Sequence, residues 1–353
     1  MKFRPSDCLA ALLYSALMVT TQALHFTTPV VAQDFTTEKH AVSVDTVASG
    51  LNHPWGLAFL PGGAMLVTER PGTLRLITKS RVSDTVSGVP RVWPRGQGGL
   101  LDIALDRDFA NNRVLFLSYS EPGRGRGEAG TAVARARLEL APKPRLVAVR
   151  VIFRQNRKTN SGRHFGSRLV IAPDGTLFIT VGDRGDSERA QDPFDHAGSV
   201  IRINRDGGVP SDNPFADGKK AAPEIWSIGH RNPQGATLNR STGRVWTVEH
   251  GAQGGDEINL PDPGRNYGWP TISYGRHYSG AKIGVGVRNA GMEQPKWYWD
   301  PSIAPSGFAY YDGGGFPNWQ GNMFVGALRG QMLVRLELEA DKVVAEERMF
   351  INE

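Results

Sequence analysis

The chain has 353 residues, of which 40% are hydrophobic and 22% are charged, and its formal net charge is +6 at pH 7. That composition is typical of a globular protein, and the mild positive charge, without a basic helix, does not predict a nucleic-acid partner. The single cysteine, Cys8, lies in the N-terminal segment, which excludes a cysteine nucleophile, a disulfide and a Cys-ligated metal centre from the remainder of the chain.

The N-terminal segment has the pattern of an export signal. Two basic residues precede an apolar run over residues 8–19, and small residues follow at 30–32. The run is too short to span a bilayer, and its flanks are those of a signal peptide. We therefore predict a signal peptide over residues 1–32 and one domain over 33–353, in a periplasmic or secreted protein with no membrane span after cleavage. Cleavage after Ala23 and a retained N-terminal anchor are the alternatives.

Five later stretches repeat one pattern, in which an apolar run, a turn rich in Asp, Gly or Asn, and a second apolar run follow one another. They occupy residues 56–70, 101–120, 168–185, 235–251 and 307–328. A further strand-like run follows most of them, such as QMLVRLEL near the C-terminus, in which apolar and polar residues partly alternate. Repeats of this size with turn signals predict the blades of a β-propeller.

The fold class predicted is therefore all-β. The insertions at 141–166 and 205–226 are expected to be loops on one face, and the run 41–51 is expected to supply one strand of a closing blade. A pair of irregular β-sandwiches is the alternative that the periodicity leaves open.

Polar clusters fall at the ends of the repeats, where a propeller places its central site. Gln97 lies in a glycine-rich loop, GQGG, while His164 precedes the third repeat and Asp183 follows its second strand. A carboxylate beside an imidazole fixes the tautomer of the ring and raises its basicity, which favours a general base. The residues at 164 and 183 are therefore candidates for acid–base chemistry.

Two further clusters flank the fourth repeat, GHRNPQG before it and EHGAQGGDEIN after it. Arg231 and Asn232 offer planar donors suited to a carboxylate or quinone oxygen. The run 249–259 offers hard oxygens, from carbonyls next to glycines and from Asp256 and Glu257, which suit calcium. Each residue also has a plainer interpretation as a turn, a surface histidine, a salt bridge or a solvated rim; their placement at equivalent ends of successive repeats favours one site.

Several motifs together resemble the soluble aldose dehydrogenases that depend on pyrroloquinoline quinone, a family that includes glucose and sorbosone dehydrogenases. The motifs are PWGLAFLPGG, GQGGLLDIALD, HFGSRL, VGDRG, SDNPF, PEIWSIGHRNPQG, GGDEIN, NYGWP and APSG. The combination of HRNPQG, DEIN and NYGWP makes the resemblance specific. It implies a six-bladed β-propeller with the cofactor near its axis. Relatives continue past a stretch like RMFINE with a final blade, so we expect the last blade to be incomplete in this chain, which ends at Glu353.

The resemblance also implies a role for individual residues. His164 would take the proton from the anomeric hydroxyl of an aldose, supported by Asp183, while a hydride passes from C1 to C5 of the quinone. The implied cofactor contacts are Gln97, Arg231, Asn232, Ser302 and Arg329. The carbonyls of Gly251 and Ala252 would hold the calcium bound to the quinone, and a second calcium is implied near Asp256, Glu257 and Tyr267.

The sequence therefore predicts a quinone- and calcium-dependent aldose dehydrogenase that passes electrons to a quinone or a redox protein. A non-catalytic binding propeller is one alternative. A calcium-dependent lactonase-type hydrolase is another, although such enzymes take ligands from several blades and here the oxygens cluster in one loop. Sugar contacts are expected from the loops 122–130, 154–163 and 273–300, and the aromatic residues 297–299 either stack on a sugar or pack the blade.

Overall fold

The computed structural model describes residues 33–352, and these form five four-stranded antiparallel sheets and one two-stranded hairpin. The hairpin comes first and consists of β1 (Gln33–Thr36) and β2 (Ala41–Val44). In each sheet the four strands follow one another in chain order, as in the blade of a propeller. The strands are, blade by blade, β3 (Pro54–Phe59), β4 (Met65–Glu69), β5 (Thr73–Thr78) and β6 (Arg81–Thr85); β7 (Leu100–Leu105), β8 (Val114–Pro122), β9 (Ala129–Glu139) and β10 (Arg145–Arg154); β11 (Leu169–Ile171), β12 (Leu177–Val181), β13 (Ser199–Ile203) and β14 (Ile225–Ile228); β15 (Pro233–Asn239), β16 (Arg244–Glu249), β17 (Asp256–Asn259) and β18 (Trp297–Trp299); and β19 (Pro305–Tyr310), β20 (Met323–Ala327), β21 (Met332–Glu339) and β22 (Lys342–Met349).

Helical structure within residues 33–352 is limited to three short segments. These are α1 (Phe109–Asn112) and two 3₁₀ turns, Ser187–Gln191 and Pro317–Trp319. No helix in this part of the chain has the length and apolar character that a bilayer crossing requires. The predicted signal peptide and Cys8 lie outside the described residues.

The middle strands of blades 2 to 4 are buried because both faces of each of these blades are covered by neighbouring blades. On β8, Leu115 and Leu117 pack towards blade 1, whereas Val114 and Phe116 pack towards blade 3. A strand that is covered on both faces has a continuous apolar sequence rather than an alternating one, which is why β8 begins with four consecutive apolar residues, VLFL. Burial of one such side chain stabilises the fold by about 1.5–3 kcal/mol.

Separate hydrophobic clusters fill the spaces between successive blades. One lies between blades 1 and 2, and others lie between blades 2 and 3, 3 and 4, and 4 and 5. The first strands of neighbouring blades also pack together, β3 on β7, β7 on β11, β11 on β15, and β15 on β19. The loops that enter and leave these inner strands are therefore gathered around a common centre.

The prediction of an all-β propeller is confirmed, and the alternative of two sandwiches is wrong because the five sheets are separate. Six blades are not confirmed, since residues 33–352 form five. The run 41–51 does not join any of the five blades. Its first residues, Ala41–Val44, pair instead with Gln33–Thr36. This hairpin packs through Phe35 and Val42 against Trp319 and Met349 of blade 5.

The repeated hairpins were predicted correctly, but the insertion at 141–166 is not only a loop. Residues Arg145–Arg154 form β10, the outer strand of blade 2, paired with β9. Its sequence, RLVAVRVIFR, mixes apolar and basic residues, and two register irregularities interrupt the pairing. The pattern that signals a strand is therefore broken along an edge that faces water on one side.

Candidate active site

His164 and Asp183 lie on opposite sides of the β11–β12 hairpin and meet at its open end. Nδ1 of His164 is 2.6 Å from Oδ1 of Asp183. Asp183 is 1% exposed, and its Oδ1 also accepts a bond of 2.6 Å from the backbone N–H of Gly185, while its Oδ2 accepts one of 2.8 Å from Nε1 of Trp269. The carboxylate is thus fully coordinated by donors and cannot rotate freely.

These donors keep Asp183 ionised in spite of its burial. Burial alone opposes ionisation, but the hydrogen bond and charge of His164, the Gly185 N–H and the charge of Arg231 together hold the pKa of Asp183 below its usual value. An ionised Oδ1 can only accept, so Nδ1 of His164 carries a hydrogen, and in the neutral form of the ring Nε2 carries the lone pair. The dyad therefore presents a basic nitrogen on the side away from Asp183.

The backbone around His164 is held in an unusual conformation. His164 has φ of 52°, a left-handed value that costs a non-glycine residue about 1–2 kcal/mol. Its N–H donates to Oε1 of Gln97 at 2.7 Å, and the N–H of Gln97 donates to the carbonyl of Gly162 at 2.8 Å. A Cβ on Gly182 would overlap the carbonyl of His164, so only glycine allows the end of β12 to approach this loop. Strain of this kind persists where surrounding contacts impose it, as in a functional site.

The GHRNPQG segment is fixed from behind by Glu249. Its two oxygens accept from Nδ1 of His230 at 2.8 Å and from the backbone N–H of Arg231 at 2.6 Å. Oδ1 of Asn232 accepts from the N–H of Gly166, two residues after His164, at 3.1 Å. The segment therefore ties the fourth blade to the loop that carries the base.

The Arg231 side chain is buried but incompletely satisfied. Its Nη1 donates to the carbonyl of His250 at 3.2 Å, and its guanidinium lies 5.3 Å from the centre of the Trp269 ring, within the range of a cation–π contact. Its Nε is buried and has no hydrogen-bond partner among residues 33–352. A buried donor without a partner costs about 1–3 kcal/mol, so this group is available to a ligand oxygen.

Asp256 acts as a clamp between the two loops that flank it. Its Oδ1 accepts from the N–H of Gly251 at 2.8 Å, and its Oδ2 accepts from Oγ of Ser302 and from the N–H groups of Ile303 and Ala304 at 2.7–3.0 Å. Both oxygens are therefore already occupied by protein donors, and so is the Ser302 hydroxyl.

A cavity of about 10 Å³ lies between this loop and the GHRNPQG segment, large enough for a single water or ion. It is lined by the glycines at 251 and 255 and by Glu249, Glu257 and Tyr267, among others. Burial, together with the charges of Glu249 and Asp256, raises the pKa of Glu257 to about 8. A cation in the cavity would oppose this shift, because it favours the ionised form of the carboxylate.

The donor set fits a hard cation but not a site made of side chains alone. Oδ1 of Asn259 is buried without a partner within residues 33–352 and lies in the same network as Glu249 and Glu257. A Cβ on Gly251 would overlap the carbonyls of Gly254 and Gly255, which shows how closely these oxygens approach one another. No group of three His, Cys, Asp or Glu side chains in this part of the chain is arranged to hold a metal, so backbone carbonyls must contribute, as calcium prefers.

A larger cleft of about 460 Å³ opens at the centre, where the inner strands of all five blades meet. Gln97, Phe165, Arg168 and His250 line it, together with residues of blades 1 and 5. Burial, together with the charge of Arg231, lowers the pKa of His250 to about 4, so its ring is neutral at pH 7. Cations and neutral donors around an open cleft suit a planar ligand that carries carboxylates and carbonyls.

The structure brings together most of the residues that the sequence predicted, but not all of them. Gln97, His164, Asp183, Arg231 and Asn232 share one hydrogen-bonded neighbourhood. Ala252, in the calcium loop, forms a bridge with Gly254. Arg329 is exposed in the turn after β20, and its N–H donates to the carbonyl of Ile303. The hydroxyl of Tyr267 is bonded to the carbonyl of Leu260 and the N–H of Asp262, so only the remainder of that residue faces the small cavity.

Sequence reasoning missed the roles of Trp269, Glu249 and His250. Trp269 is 86 residues from Asp183 in the chain, yet its indole donates to that carboxylate. The sequence marks Glu249 only as part of an oxygen-rich run, whereas in the structure it holds His230 and the backbone of Arg231. Of the predicted sugar-contacting aromatics, Trp299 is buried in the blade core, whereas Tyr298 is exposed and stacks on Tyr274 at 4.0 Å.

Comparison with known proteins identifies relatives of this arrangement. The model of the glucose/sorbosone dehydrogenase family matches residues 51–353. The chain is 45% identical over 315 residues to the aldose sugar dehydrogenase YliI of Escherichia coli, with 88% of this chain and 84% of that protein covered. It is 30% identical to quinoprotein glucose dehydrogenase B of Acinetobacter calcoaceticus, with 74% and 59% covered. The PQQ-bound structure of the aldose sugar dehydrogenase from Streptomyces coelicolor superposes with a TM-score of 0.72 at 30% identity, covering 91% of this chain and 85% of that one.

Proposed function

The chain belongs to the glucose/sorbosone dehydrogenase family, and from that premise we propose that it oxidises aldoses at C1 to the lactone, with pyrroloquinoline quinone as hydride acceptor and calcium as its metal. We further propose that it acts in the periplasm and passes electrons on to a quinone or a redox protein. The observation that carries the proposal is the His164–Asp183 dyad, which stands beside a cleft lined by donors in a chain of this family.

The chemistry of the dyad follows from its protonation. Nε2 of His164 holds a lone pair and accepts the proton of the C1 hydroxyl as the hydride leaves C1. Asp183 then stabilises the imidazolium, because its carboxylate is ionised and fixed by three donors. Removal of this proton from the hydroxyl and of a hydride from C1 is a two-electron oxidation, which converts a cyclic aldose into its lactone.

The cofactor would be held by donors from several blades. Arg231 offers a buried Nε without a partner among residues 33–352, and Gln97 and Asn232 are both bonded to the loop that carries His164. The carbonyls of Gly251 and Ala252 are the candidates for holding the calcium. When bound, the quinone supplies the two-electron acceptor and the calcium supplies a Lewis acid.

The hydrolase alternative is less well supported by the residues present. A lactonase-type site needs carboxylate and amide ligands that several blades direct at one metal. Among residues 33–352 no three acidic, His or Cys side chains converge in that way. The loop of glycines and carbonyls after β16 instead favours a cation held beside a bound cofactor.

The test is turnover by the reconstituted protein. Protein incubated with pyrroloquinoline quinone and calcium should reduce a redox dye when an aldose is added, and the product should be the lactone. His164→Ala, folded as judged by its circular dichroism, is the matched control and should give no turnover. Folded wild-type protein that binds the quinone but oxidises no aldose would overturn the proposal.

A further inference from the structure

The positive charge of this chain is concentrated in one blade, although along the sequence the basic residues look scattered. Residues 100–158, which comprise blade 2 and the four residues that follow it, contain twelve Lys and Arg against six Asp and Glu. Their net charge of +6 equals that of the whole chain, so the remaining residues are neutral in sum. A local surplus of this kind attracts anions to one side of the molecule.

A cleft of about 1060 Å³ lies on this blade. Its charged lining consists of Arg91, Arg124, Arg154, Lys158, Glu121 and Glu128. Glu121 already pairs with Arg154 and Lys158, and Glu128 accepts from the backbone N–H of Gly125 at 2.9 Å. Arg91 and Arg124 are exposed and have no ion pair within residues 33–352, so their guanidinium groups are available to an anion.

A buried amide in the wall of the same cleft also lacks a partner. Gln155 is 2% exposed, and its Oε1 accepts from the N–H of Thr131 at 3.1 Å. Its Nε2 has no hydrogen-bond partner among the described residues. Leaving a buried donor unpaired costs free energy unless a ligand or water completes it. This amide indicates a binding surface independently of the arginines.

Both walls of the cleft continue into the loops that carry the base. Arg91 precedes Gln97 by six residues, and Lys158 precedes His164 by six. These two loops are joined by the bond from the N–H of His164 to Oε1 of Gln97. Thr131, whose N–H is bonded to Gln155 of the cleft, is also connected to this loop. Its Oγ1 donates to the carbonyl of Phe165, the residue after His164, at 2.7 Å. The cleft is therefore built on the same two loops that carry His164 and Gln97.

We propose that this cleft is a subsite for an anionic sugar unit, so that the substrates include aldoses linked at their far end to a uronic acid. The inference rests on the proposed function for the reducing end, but the cleft itself is defined by its own residues. Two free guanidinium groups and an unpaired amide N–H form a donor set suited to a carboxylate, and a planar guanidinium binds a carboxylate through two parallel bonds. Polar groups that converge in a cleft beside the reactive position are the usual basis of substrate selectivity.

Calorimetry on the quinone-free protein tests the subsite without any catalysis. The probes are a glucose disaccharide and the same disaccharide with its non-reducing unit oxidised to the uronic acid. We expect the acidic disaccharide to bind about tenfold more tightly at low salt, as charge-assisted hydrogen bonds predict. Arg91→Gln with Arg124→Gln should remove this preference. Arg126→Gln, an exposed arginine in the same loop that does not line the cleft, is the matched control and should keep it.

The kinetic arm separates this proposal from the proposed function. In reconstituted enzyme, the double substitution should raise KM for the acidic disaccharide about tenfold and leave kcat and the constants for glucose unchanged. Binding of the acidic disaccharide without any turnover would keep the subsite and overturn the dehydrogenase. Turnover of glucose together with equal affinity for the two disaccharides would support the dehydrogenase and overturn the subsite. A loss with Arg126→Gln as large as with the cleft substitutions would also overturn the subsite, because it would reflect only the general charge of the blade.

Discussion

The hydrogen bonds around Asp183 make a quantitative prediction about two residues far apart in the chain. In Asp183→Asn an amide replaces a carboxylate that accepts on both oxygens. Its NH₂ group must then face either the indole N–H of Trp269 or the backbone N–H of Gly185. In either arrangement the NH₂ group and an N–H donor point at each other, at a residue that is only 1% exposed. Because a buried unpaired donor costs about 1–3 kcal/mol, we expect a loss of about 3 kcal/mol in the free energy of unfolding once the lost charge-assisted bond is included.

The second substitution should partly repair the first. Trp269→Phe alone removes one donor from an ionised carboxylate and should cost about 2 kcal/mol, besides the packing lost with the smaller ring. In the Asp183→Asn background the same change removes the opposing donor. The double variant should therefore be about 2 kcal/mol more stable than the sum of the single changes predicts.

Denaturant unfolding of the four quinone-free proteins measures this coupling directly, because the loss of ring packing cancels in the cycle. Additivity within about 0.5 kcal/mol would refute the reasoning. It would mean that Trp269 does not act on the carboxylate, and the fixed orientation of the dyad would lose its main support.

Three further predictions concern the cofactor and the calcium loop. His164→Ala should abolish turnover with quinone affinity unchanged, whereas Arg231→Ala should weaken quinone binding at least about tenfold, as measured by absorbance titration; equal effects on affinity would contradict the separate roles. Glu257 has a pKa raised to about 8, so the stability it contributes is present at low pH and is lost as the pH rises through that value. Thermal melts of calcium-free protein from pH 5 to 9 should show this loss, and Glu257→Gln should flatten it; an unchanged profile would argue against a strained carboxylate. Gly251→Ala should remove the stabilisation by calcium, because its Cβ would overlap a neighbouring carbonyl, while Gly314→Ala, with open space around it, should not; equal melting shifts on adding calcium would contradict this.

The sequence predicted the blades well because their signal is local. Each repeated hairpin carries its own turn residues between apolar runs, and the third strands follow closely. Edge strands were harder to recognise, since β10 faces water on one side and its pairing is irregular. The closing strand expected at 41–51 stays a prediction, since Ala41–Val44 pairs with Gln33–Thr36 in a hairpin that packs on blade 5.

The site could be predicted where the interacting residues lie close together in the sequence. It was harder to predict where a partner residue is distant in the sequence. His164 and Asp183 flank one hairpin, so their meeting follows from local pairing. Trp269 reaches Asp183 from another blade, and no spacing rule reveals such a contact. Asp256 illustrates the opposite difficulty, because a carboxylate in an oxygen-rich run appears free until the structure shows four donors on its two oxygens.

The central claim is that this chain binds a redox quinone with calcium and passes the electrons of an aldose to it. The most direct measurement is the absorbance spectrum of purified quinone-free protein on addition of pyrroloquinoline quinone and calcium, followed by glucose. We expect a bound-quinone spectrum that requires calcium and that converts to the reduced form when the sugar is added. A spectrum that remains that of free quinone, in protein shown to be folded, would contradict it.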